Sequence, residues 1–101
     1  LEVVAGPSGQ WLAKAKAERV YMEEYRKSLK ALLMKASDSQ SAAMQERDAY
    51  AHPNYLKHLE ALHAAVEQEE ALRWRMVTAQ AAVEIWRSQE ASNRGMDRGT
   101  R

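Results

Sequence analysis

Glu60 and His63 stand three positions apart in Glu60-Ala61-Leu62-His63. This is the Glu-x-x-His spacing with which four-helix bundles hold paired metal ions. Such a centre takes the motif from each of two helices and one further Glu from each of the other two. Two copies of this chain would supply both sets, with Glu18 or Glu24 as the extra ligand. The hydrophobic pattern argues against it. Leu59, Leu62 and Val66 form the deepest stripe around the motif, which puts His63 at the edge of the core. A flanking histidine is the stronger reading, so no metal and no cofactor is expected. His58 and His63 are five apart and diverge on a helix, while His52, just before Pro53, reads as a cap residue. Nothing resembles a nucleophile elbow, and the glycines are too scattered for a phosphate loop. No catalytic residue is assigned, and the chain is not expected to be an enzyme.

A second group mixes cations with aromatic rings. Trp74 lies between Arg73 and Arg75, Trp86 precedes Arg87, and Arg94 and Arg98 follow. Rings that stack on bases beside cations that meet phosphates can hold a single nucleic-acid strand. These six residues, Arg73, Trp74, Arg75, Arg87, Arg94 and Arg98, are therefore candidate nucleic-acid contacts, with weak, salt-sensitive binding expected. Trp and Arg are equally the preferred anchors of protein interfaces. For Trp86, inside the apolar tract Met76 to Trp86, the interface reading is better; Val83, Ile85 and Trp86 are the expected oligomer contacts.

Composition bounds the function classes. One domain at most fits in 101 residues, with 46% hydrophobic and 29% charged side chains. The net charge of +1 is too small for a DNA mimic, but it is uneven. Leu1–Glu70 holds nine basic and eleven acidic residues, whereas Ala71–Arg101 holds six Arg against three acids. Cysteine is absent, which fits a reducing cytoplasm. No apolar run nears the roughly twenty residues of a membrane span, and the first residues do not read as a signal peptide.

All of these side chains must be carried by helices. Good helix formers dominate, with four Gly and two Pro in the chain. Trp11, Ala15, Met22, Tyr25, Leu29, Leu32 and Ala36 recur at helical spacing, interrupted by Glu18, which predicts a helix over about 9–35. Ser8 is its expected cap. A polar cluster from Ser37 to Ser41 ends it, and a short helix follows over 42–51, capped by Asp38, Ser39 or Ser41. His52-Pro53 breaks that helix and starts the next. From Asn54 to Arg94 there is no Gly or Pro, so one helix of about 60 Å is expected. Tyr55, Leu59, Leu62, Val66, Met76 and Val83 form its stripe, with Glu69, Arg73 and Gln80 on the same line. Glu69 and Arg73 are spaced for a helical ion pair. Gly95 is the expected left-handed cap.

The fold class is therefore all-α: a long αα-hairpin with a short helix at the connection, assembling as a coiled-coil-like or bundle dimer. The expected bounds are a flexible N-terminus over 1–8, the hairpin over 9–94 and a flexible basic tail over 95–101. Helix one spans about 40 Å, so Ala82 to Arg94 should project beyond it. A second copy would cover that overhang.

Ala49-Tyr-Ala-His-Pro-Asn-Tyr55, Val83-Glu-Ile-Trp-Arg-Ser-Gln-Glu-Ala-Ser-Asn-Arg94 and Met96-Asp-Arg98 together resemble small uncharacterised helical proteins of tailed bacteriophages and prophages. The resemblance covers most of the chain from Val20 onward. It implies a setting among replication and recombination functions, and a protein partner in DNA metabolism. It carries over no activity and no functional residue.

Overall fold

The computed structural model describes residues 6–99. Three helices follow one another: α1, Gly6–Ala36; α2, Ala42–Ala51; and α3, Pro53–Gly99. There is no strand among the described residues. Helices α1 and α3 pack side by side as a hairpin, and α2 sits across its closed end.

The molecule is a rod of 87 × 21 × 15 Å with a radius of gyration of 24.0 Å. A compact chain of this length would have a radius near 13 Å. Its surface, 8056 Å² for 11.5 kDa, also exceeds the roughly 5,800 Å² of a compact monomer. Among the described residues only Ala49, Tyr55 and Leu62 form a buried apolar core. The hairpin buries a seam, not a centre.

The connection is where local chemistry is densest. Ser41 caps α2, its hydroxyl accepting from the Met44 N–H at 3.2 Å. Ser37 and Ser39 both donate to Asp48 Oδ2, at 2.7 and 2.6 Å, tying the turn to α2. Those hydroxyls, Ser39 first, hold the Asp48 carboxyl below its ordinary pKa. Lys30 of α1 donates to Glu46 of α2 at 2.6 Å and lies 4.8 Å from the Tyr50 ring centre.

His52 joins α2 to α3. Its backbone N–H donates to Ala49 O at 3.2 Å, closing α2. Its carbonyl accepts from the N–H groups of Tyr55 and Leu56, and its ring Nδ1 from the Asn54 N–H at 3.0 Å. One residue thus satisfies the end of one helix and the start of the next.

Several expectations need correction. Gly95 is no left-handed cap: no described glycine has a positive φ, and α3 continues through it to Gly99. A glycine in an exposed helix interior costs only about 1 kcal/mol against alanine, and the chain does not turn there. Ser8 is a helical residue, since α1 begins at Gly6. The α1 stripe is kept in part: Ala15, Met22 and Leu29 lie inward as expected, but Trp11, Tyr25 and Leu32 are exposed, and Leu12, Arg19 and Leu33 turn inward in their place. Glu18 is exposed, so its neighbour Arg19 is the charge that enters the seam. The termini assigned to 1–8 and 95–101 contribute residues 6–8 and 95–99 to helices, and the rest lies outside the described residues.

Candidate functional site

Residue by residue, α3 passes from a covered to an uncovered helix. Trp11 of α1 lines the same groove as Leu72 and Arg75, which puts the start of α1 a few residues beyond that level. Past it, every residue from Gln80 to Gln89 is exposed. The expected overhang is present, and Val83, Ile85 and Trp86 are exposed on it, Trp86 at 61%.

At about 100° per residue these three do not share one face. Val83 and Trp86 continue the line of Leu72, Met76 and Ala79 that meets α1 further down. Ile85 lies within about 20° of Trp74, on the opposite side. Trp74, at 64% exposure, and Val77 belong to that outer face. The overhang therefore extends two apolar surfaces.

An open groove of about 670 Å³ runs between α1 and α3. Trp11, Ala15 and Met22 form one wall; Ala61, Ala65 and Leu72 are prominent on the other. Small side chains keep it shallow and wide. On α3 its wall follows Ala61, Ala65, Gln68, Leu72 and Arg75, and the same alternating steps of four and three lead on to Ala79, Ala82 and Trp86, so groove and overhang share one strip of the helix.

The seam beneath the groove carries the charge. Glu69 is 2% exposed and accepts from two arginines. Arg19 reaches it from α1, with Nε 2.5 Å from Oε1 and a second nitrogen 3.2 Å from Oε2; Arg73, one turn along α3, donates to Oε2 at 3.2 Å. The Arg19 hydrogen bond, more than the charge of either arginine, holds the Glu69 carboxyl below the ordinary range. Arg19 also donates to Glu23 at 2.6 Å, and its own pKa is raised, chiefly by Glu69. The expected Glu69–Arg73 pair is present. Its extension to Arg19 has no local signal beyond the position of Arg19 itself, four after Ala15 and three before Met22. His58 holds a role that its spacing does not announce. Its Nε2–H donates to the Met22 carbonyl at 2.7 Å, and its ring meets Tyr25 edge-on at 5.4 Å.

The candidate nucleic-acid residues are dispersed. Arg73 is occupied by Glu69 and by Glu70 at 3.1 Å. Arg87 lies 3.8 Å from Glu84, and Arg94 donates to its own helix at the Glu90 carbonyl. Arg75 has no ion pair among the described residues and stands next to exposed Trp74. The Arg98 side chain lies outside the described residues. A second groove, at the connection, presents Arg26, Lys27 and Lys30 beside Tyr50 and Tyr55. Glu24 and Glu46 already neutralise the two lysines.

Glu60 and His63 are both exposed, as are Glu18 and Glu24. Among the described residues no three His, Asp or Glu side chains come together as a metal cluster. No described helix is long and apolar enough to cross a membrane. No family model, curated protein or solved structure matches the chain, so the surface itself carries the functional reading.

Proposed function

We propose that this chain is a non-enzymatic helical interaction protein that works as a homodimer. Its role would be that of an adaptor, an accessory to phage DNA recombination or replication in the bacterial cytoplasm. One observation supports the binding reading above others: the uncovered end of α3, with Val83, Ile85 and Trp86 in water. Each large apolar side chain left exposed forgoes roughly 1.5–3 kcal/mol. The phage setting and the DNA-metabolism partner rest on the sequence resemblance alone.

Light scattering at micromolar concentration tests the assembly; a mass of 11.5 kDa would end the dimer reading. Capture from phage-infected cells tests the partner, and recovery of no replication or recombination protein would count against the adaptor role.

A second reading draws on exposed Trp74 beside Arg75, whose guanidinium has no ion pair among the described residues. Together they suit a base and a phosphate of a single strand. Oligonucleotide binding that weakens steeply with salt and with Trp74→Ala would favour it. Loss of a stoichiometric metal on His63→Ala would instead revive the di-metal reading.

A further inference from the structure

We infer that the α1–α3 groove is the seat of the overhang from a second, antiparallel copy of this chain. The inference rests on the dimer reading above and adds the surface, the direction and the register.

Two observations converge on this occupant. Groove and overhang lie on one strip of α3, so a two-fold axis across the strip brings each onto its counterpart. Placing Trp86 opposite the middle of the groove, at Gln68, sets that axis midway between Arg75 and Ala79. Large side chains then meet small ones: Trp86 faces Ala65 and Gln68, Leu72 faces Ala82, and Arg75 faces Ala79. Shifting the copies by a full heptad would move Trp86 away from the groove centre.

The area also suffices. The chain exposes over about 2,000 Å² beyond a compact monomer of its mass, and a standard interface takes about 800 Å² from each partner. The product is a three-helix bundle in each half, the partner's overhang lying along α1 and α3, with the two α3 helices meeting at the axis.

Spin labels decide the arrangement, because the chain has no cysteine and any introduced one is unique. Lys57→Cys and Thr78→Cys both fall at exposed positions. In the proposed dimer the labels at 57 lie about 60 Å apart, and those at 78, beside the axis, within about 25 Å. A parallel dimer would give short distances at both sites and overturn the inference while leaving the dimer intact. A monomer, with no dipolar coupling, would overturn both. Ala64→Arg, at an exposed groove position outside the hairpin seam, should raise the dimer dissociation constant at least tenfold. A helical Ala64→Arg variant that dimerises normally would show that the overhang docks elsewhere.

Discussion

Arg19 and Glu69, fifty positions apart, meet through two hydrogen bonds across the hairpin. Arg73 adds a third to the same carboxylate. A charged group buried at 2% exposure is tolerated only because its oxygens are this well supplied. The pairing also favours one register of α1 on α3, since sliding by one turn would leave Glu69 with Arg73 alone and Arg19 with Glu23 alone.

Arg19→Leu should therefore lower the melting midpoint by more than about 5 °C by leaving Glu69 underpaired. Replacing both partners removes the stranded charge, and such swaps are often near neutral. Arg19→Leu with Glu69→Leu should recover most of the loss in a thermal melt. A double variant as unstable as the single one would mean that the pair contributes through geometry rather than through charge.

Acid should weaken the fold at two places. The carboxyls of Glu69 and Asp48 both have depressed pKa values, from Arg19 and from Ser39 respectively. The unfolded chain binds protons first, near pH 4, so the stabilisation is complete above that range and fades as pH falls further. Urea midpoints should be flat from pH 7 to about 5 and drop below about 4. Asp48→Asn should show a shallower drop, and an unchanged slope would remove Asp48 from the account.

His52→Ala should destabilise the junction by about 0.5–2 kcal/mol, the usual range for a lost helix cap. Asn at this position keeps an acceptor for the Asn54 N–H, so His52→Asn should retain most of the stability. Equal losses in both variants would show that the imidazole matters for something other than capping.

What a sequence reveals of such a hairpin follows from the range of each interaction. The connection is legible because its causes are local: Ser41 caps, Pro53 breaks, and α2 occupies the expected 42–51. The overhang follows from counting residues per helix. Arg19 with Glu69 is not legible, since no local pattern links positions fifty apart, and a stripe of apolar residues hides a charged pair inside it. The split of Val83 and Trp86 from Ile85 requires knowing which face of α3 meets α1. The spacing of His58 bears only on metal ligation, whereas its actual partner is a backbone carbonyl, which leaves no trace in a sequence.

That split sets the last prediction. Trp86 lies on the strip shared with the groove, and Trp74 on the outer face with Ile85. Both rings are about equally exposed in the single chain, so their exposure alone does not rank them. Burial in a dimer would. Truncating a buried Trp costs about 3–5 kcal/mol, which shifts a dissociation constant by more than about a hundredfold. Trp86→Ala should convert a micromolar dimer to monomer, while Trp74→Ala should leave it associated. Neither change touches the α1–α3 seam, so circular dichroism should show both variants helical. Sedimentation separates the two cases: an intact Trp86→Ala dimer beside a dissociated Trp74→Ala protein would place the interface on the outer face of α3.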